Sequence, residues 1–169
     1  MSNEAPLTGK IINPAEGDVL ITGGLGVISK LSGEDSGGAF AIVEHPLEPG
    51  ALAAPMHTHT NEDEISYVIE GEVGVRIGDQ EMVARAGAYI VKPRGIPHTF
   101  WNAGDSKARL LEIIAPAGFE RYFEELAPIV GQGGEPDFGS IMALAGRYGL
   151  QMHPESIGEI SEKHGVRLG

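Results

Sequence analysis

The sequence predicts a mainly β protein, a sandwich or barrel of short strands followed by a short α-helical C-terminal appendage. From about Asp18 to Ala115, short segments of alternating or β-branched character are separated by turn residues, the pattern of closely spaced strands. The 25 Gly and 11 Pro are scattered rather than periodic, as suits many tight turns. After Pro116 the apolar spacing changes from the strand period to that of a helix.

The strand-like segments are "DVLIT", "AFAIVEH", "ISYVIEG", "VGVRIG", "AYIVKP" and "RLLEIIA". Between them lie the turn signals "SGEDSGG", "EPG", "IGDQ", "PRGIP" and "NAGDS". Gly78-Asp79 is the best hairpin candidate because apolar-containing segments flank it. Phe119, Tyr122, Phe123 and Leu126 then follow the i, i+3, i+4, i+7 spacing of one helix face, with the charges of "FERYFEEL" expected outward.

A break at "GQGGEP" leads to a second helix carrying Phe138, Ile141, Met142, Ala145 and Tyr148 on one side and stopping at Gly149. A third runs from Pro154 to His164 and stops at Gly165. The segments "LAGRYGLQM" and "ISEKHGVRL" share a pattern, a helix ending on glycine with a short extended tail; two copies do not make a solenoid. The predicted division is a β-barrel domain over residues 1–117, N-terminal strands included, and a helical extension over 118–169 that packs on the barrel or on a dimer partner.

Composition narrows the function. The 169 residues suit one domain that needs no disulfides. Cys is absent and "MSNEAPLTGK" lacks the basic and apolar parts of a signal peptide, so a cytoplasmic location is expected. No apolar stretch reaches the roughly 20 residues that span a bilayer, so no membrane partner is expected. The 12 basic and 24 acidic residues give a net charge of −12 with no basic cluster, which argues against nucleic acid.

The chemistry concentrates in "MHTHTNEDEISYVIEG". In an extended strand His57 and His59 point to one side, as chelation requires. Glu64 begins a strand with Ser66 and Val68 on its face, and a turn at Thr60 to Asp63 is expected to lay that strand antiparallel beside the histidines. Glu62 falls in the turn and Asp63 has the opposite parity, so both are expected to be solvated. His45, His98, His153 and His164 are candidates for a further ligand. His98 stands apart because it follows the rigid turn of "GAYIVKPRGIP". Phe100 shares the parity of His98 and either fills the core or lines an aromatic pocket. The glycines of "GGLG" lack the context of a dinucleotide site.

These residues resemble a known family. "GALAAPMHTHTNEDEISYVIEG" is similar to the first cupin motif, with six residues rather than the family's five between Gly50 and His57. "GAYIVKPRGIPHTFWN" is similar to the second, with Gly87, Pro93, Gly95, His98 and Asn102 in the family's positions. The resemblance implies a cupin-type double-stranded β-helix, or jelly-roll, barrel. Carried over residue by residue, it makes His57, His59, Glu64 and His98 the ligands of one divalent transition metal ion per chain, whether Fe, Mn, Ni, Co, Cu or Zn.

The chain looks like the bacterial single-domain cupins grouped with quercetin dioxygenases. That resemblance implies a small enol or hydroxyl-bearing substrate, flavonol- or diketone-like, with dioxygen as co-substrate and Glu64 as both ligand and catalytic base. Other cupin activities keep the ion as a Lewis acid without redox, in an isomerase, epimerase, cyclase or lyase. A non-enzymatic cupin that binds a small ligand or a structural metal is the third possibility, because one scaffold hosts many functions. Family resemblance also implies a homodimer. His45, His153 and His164 receive no role from it.

Overall fold

Along Asp63–Glu70 and Ala108–Ala115 buried residues alternate with more exposed ones, so each strand gives one face to the interior. The computed structural model describes residues 9–131 and 137–169. The first eight residues and, apart from Gly131, the expected break at "GQGGEP" lie outside the described residues.

In chain order the strands are β1 (Asp18–Ile21), β2 (Val27–Leu31), β3 (Ala41–Leu47), β4 (Ala51–Leu52), β5 (Met56–His59), β6 (Asp63–Glu70), β7 (Glu72–Ile77) and β8 (Gln80–Arg85). There follow β9 (Tyr89–Lys92), β10 (His98–Asn102), β11 (Ala108–Ala115), α1 (Glu120–Val130) and α2 (Phe138–Arg147). The chain ends with β12 (Leu150–His153), α3 (Ser156–His164) and β13 (Arg167–Leu168).

Two sheets form a jelly-roll barrel with small C-terminal helices, the predicted fold class. One sheet has the order β1-β2-β3-β11-β6-β9. In the other, β10 pairs with β7 on one side and with β5 and β4 on the other; β8 extends β7, β12 extends β5 and β13 extends β4. The β7–β8 hairpin turns on Gly78-Asp79 as expected, with Ile77 opposite Gln80.

One expectation is corrected. β5 and β6 do not pair; they belong to opposite sheets, and residues 60–62 carry the chain across the barrel. Glu64 therefore faces the histidines across the interior rather than along a hairpin. The charge pattern of α1 also differs, because Glu120 is buried. Its carboxylate accepts from the Gly33 N–H at 2.9 Å and from the Gly118 N–H, which pins the start of α1 to the 3-10 turn Gly33–Ser36.

Three apolar clusters hold the fold. Leu47, Val68, Val73, Val75, Phe100 and Leu110 plug one end of the barrel. Val43, Ile114, Phe119, Tyr122, Leu144 and Leu150 seat α1 and α2 over the other end. Trp101, Leu52, Met56, Ile160 and Val166 join α3 to the outside of the second sheet. Each large apolar side chain so buried contributes about 1.5–3 kcal/mol. Trp101 lies against Gly74, its register partner, where an added Cβ would collide with the indole.

The two glycine-ended segments follow one design. Gly149 and Gly165 both take φ of 67°, a left-handed conformation that other residues avoid. After each the chain extends into a strand: β12 pairs antiparallel with β5, and β13 runs parallel to β4. The tail thus adds strands as well as helices. Among the described residues no helix is long and apolar enough to cross a membrane.

Candidate metal centre

The local structure explains why four distant residues converge. On β5 alternation turns His57 and His59 to one side, and His98 of β10 sits in register opposite His57. The "PRGIP" turn is tied down at its middle and its far end: the Gly95 N–H donates to the His59 carbonyl at 2.8 Å, and the Gly78 N–H donates to the Pro97 carbonyl at 2.7 Å. Glu64 enters from the other sheet. One ligand atom from each of His57, His59, Glu64 and His98 lies within 4.8 Å of the others, and all four residues are buried.

The rings are oriented from behind. His57 Nδ1 donates to the Pro55 carbonyl at 2.9 Å, and His98 Nδ1 donates to the Ile96 carbonyl at 3.1 Å. His59 Nδ1 faces Glu62 Oε2 at 3.5 Å without a hydrogen bond, and neither atom has a hydrogen-bond partner among the described residues. His57 and His98 are thereby left with Nε2 for the shared centre, and His59 turns the same atom toward Glu64. His98 Nε2 lies 3.0 Å from Glu64 Oε2, and His59 Nε2 lies 3.4 Å from Glu64 Oε1. Three imidazoles and a carboxylate fit a single transition-metal ion.

Protonation states suit that fit. Burial, then the neighbouring His98 and His59, hold the His57 pKa well below its ordinary value, and burial lowers that of His98. Neutral imidazoles are what coordination needs. Burial alone would raise the pKa of Glu64, but Lys92, His59 and His98 outweigh it and hold the carboxyl well below the usual range.

Lys92 is the residue that sequence reasoning passed over. It is fully buried, and its ammonium lies 3.1 Å from Glu64 Oε2, 2.6 Å from Glu112 Oε2 and 4.9 Å from the centroid of Phe100. Burial opposes its charge, yet the two carboxylates raise its pKa. Ser66 Oγ donates to Glu112 at 3.1 Å. Burial, with the Glu64 charge adding and Lys92 opposing, pushes the Glu112 pKa up to about 7. A signal existed: Glu112 shares the inward parity of Leu110 and Ile114, where a charge is out of place.

The centre opens into a cavity of about 400 Å³ whose wall includes His57, His59, Glu64 and Glu112. Most of the remaining wall is apolar, with Phe100, Phe119, Phe123, Leu126 and Ile141 prominent, and among the described residues it contains neither Lys nor Arg. α1 forms the roof: the Phe119 ring meets the His59 ring edge-on at 4.4 Å and stacks on Tyr122. Phe100 does both things considered for it, filling the core and lining the cavity.

The other candidates separate. His153 ends β12, and His164 stacks on Trp101 at 4.2 Å on the outer face, 3.2 Å from Glu81. His45 is buried in the cavity wall, apart from the four clustered residues. Asp63 pairs at the surface with Arg94 at 2.7 Å, whereas Glu62, expected in solvent, is only 7% exposed and backs His59.

KdgF from Halomonas sp. superposes with a TM-score of 0.58 at 18% identity, over 68% of this chain and 99% of that one. A predicted oxalate decarboxylase from Thermotoga maritima gives 0.56 at 22% identity, over 63% of this chain and 99% of that one. Residues 44–114 match the model of the cupin domain family. The barrel has the cupin fold. A germin-like protein, subfamily T member 2, of Arabidopsis thaliana is 40% identical over 68 residues, which are 37% of this chain and 30% of that protein. All four clustered residues fall inside the cupin match, whereas the helices and β12 and β13 fall outside it.

Proposed function

We propose that this cupin is a metal-dependent dioxygenase acting on a small, largely apolar molecule that bears an enol or hydroxyl oxygen. The observation that carries the reading is a cluster of three imidazoles and Glu64 that presents His57, His59 and Glu64 in the wall of a mostly apolar, aromatic cavity, with no Lys or Arg in that wall among the described residues. Such a wall suits a flavonol- or diketone-like substrate. His57, His59, Glu64 and His98 would hold the ion, which when bound supplies Lewis acidity and, if redox-active, electron transfer to dioxygen.

The chain's own residues do the rest. Glu64 is held ionised and takes the proton of the substrate hydroxyl. Lys92 steadies its Oε2, and Phe119 and Tyr122 shield the reacting end from bulk water.

A second reading, a non-redox isomerase, epimerase, cyclase or lyase, is favoured by the same carboxylate, since proton transfer by Glu64 needs no dioxygen. To separate them, protein loaded in turn with Fe, Mn, Co, Ni, Cu and Zn is assayed in an oxygen electrode with flavonols and 1,3-diketones. We expect oxygen uptake that depends on the ion and is lost in Glu64→Gln. Turnover unchanged under argon would replace the dioxygenase by the non-redox enzyme, and no turnover with any pair would overturn both.

A further inference from the structure

His45 is the cavity-wall imidazole outside the candidate ligand set. On β3 it takes the inward position between Val43 and Leu47 and stands in register opposite Leu110 of β11. Its Nδ1 lies 3.0 Å from the Gly26 carbonyl. A carbonyl only accepts, so Nδ1 carries the proton and donates it. Burial lowers the ring's pKa to about 4, so the ring is neutral at physiological pH and Nε2 is a bare acceptor.

Among the described residues Nε2 has no hydrogen-bond partner; the ring's recorded bond is the one at Nδ1. Its aromatic neighbours are Phe100 at 5.9 Å and Phe123 at 5.6 Å, neither of which has a polar hydrogen to offer; the Lys92 ammonium is near enough to act on the ring electrostatically but is hydrogen-bonded to Glu112 and not to His45. Nε2 is not among the buried polar atoms shut off from any partner, and the ring lines the cavity, so a donor on a bound molecule can reach it.

We infer that His45 positions the substrate: its Nε2 accepts a hydrogen bond from a hydroxyl or N–H on the part of the molecule remote from Glu64. β3 and β6 flank β11, where His45 stands opposite Leu110 and Glu64 opposite Ile114, so the two residues are offset both across and along the sheet. The substrate class is therefore a flat or extended apolar molecule with two polar ends, an oxygen toward the Glu64 cluster and a donor toward His45. A donor at that end is recognised, and its methyl ether or deoxy analogue is rejected. This inference rests on the cavity being the substrate site, as proposed above, and not on the reaction being an oxygenation.

Redox-inert zinc-loaded protein is titrated calorimetrically with 3-hydroxyflavone and with a series of its derivatives bearing one added ring hydroxyl. We expect at least one derivative to bind about tenfold more tightly than the parent, the equivalent of about 1.4 kcal/mol. His45→Phe should erase that preference, and His45→Gln, which keeps an acceptor, should retain part of it. In the unaltered protein the ¹⁵N resonance of His45 Nε2 should move with the preferred derivative and not with the parent. A preference that survives in His45→Phe, an unmoved Nε2 resonance, equal binding of all probes or no binding of any would each overturn the inference. Failure of oxygen uptake with the binding preference intact would instead count against the dioxygenase alone.

Discussion

Along β6 the inward positions run Glu64, Ser66, Val68, along β11 from the same end they run Ile114, Glu112, Leu110, and β10 supplies His98, then Phe100. One end of the barrel interior is thus crowded with ionisable groups beside a cavity, while the other end is plugged by Val68, Leu110, Val73 and Val75. The same strands serve both. A few residues of displacement along a strand, with alternation unchanged, convert a packing face into a binding face. Stability should therefore reside mainly in the plugged end and ligand binding in the open one.

The sharpest way to break that division is Leu110→Ala, at a residue with no exposed surface in the plugged end. Urea unfolding should show a loss of about 2–5 kcal/mol, the cost of a large-to-small change in a closed core. The folded fraction should still take up metal. A comparable loss of metal per folded chain would mean that the ends are not separable.

Much of this arrangement is legible in the strand pattern, although not always for the right reason. Parity selects Glu64 over Asp63 whether the strand pairs with β5 or crosses to the opposite sheet, so the residue is identified while the pairing is not. Glu62 is misread because a bend obeys no parity: residues 60–62 turn its side chain beneath His59, and no period in the sequence encodes that. Lys92, Glu112 and His45 are readable in principle, since each occupies an inward position of its strand. What their pattern does not reveal is that Lys92 from β9 and Glu112 from β11 meet, because that depends on the order of strands in the sheet. The tail is clearest where glycine ends a helix and least clear in its pairing, since β12 and β13 are recognisable as strands only by their partners.

A second contrast concerns pH. His45 has a folded pKa of about 4 against roughly 6.5 when unfolded. Between these values the unfolded chain binds the extra proton, so the contribution is fully present above about pH 6.5 and is lost as pH falls toward 4. For the chelator-treated protein this amounts to about 3 kcal/mol from His45. The lowered pKa of His57 acts in the same direction. Denaturant titrations at pH 7 and pH 4.5 should show the loss, and His45→Phe should flatten it; an unchanged slope would show that His45 is not buried as a neutral ring.

The smallest expected effect sharpens the reading of one turn. Glu62→Ala should weaken metal binding about 10–100-fold, as loss of a group backing a ligand imidazole does. Asp63→Asn, one residue away but at the surface, should leave binding unaltered in the same competition with a metallochromic chelator. Equal effects would mean that Glu62 does not orient His59.

The geometry predicts one ion held by His57, His59, Glu64 and His98 at the open end of the barrel. The most direct test is elemental analysis after metal loading and dialysis, combined with X-ray absorption at the metal edge, on the unaltered protein and on His98→Ala. One ion per chain with imidazole and carboxylate scattering, lost or strongly reduced in His98→Ala, is the predicted result. No retained ion, or an ion whose amount and surroundings are the same in His98→Ala, would contradict it.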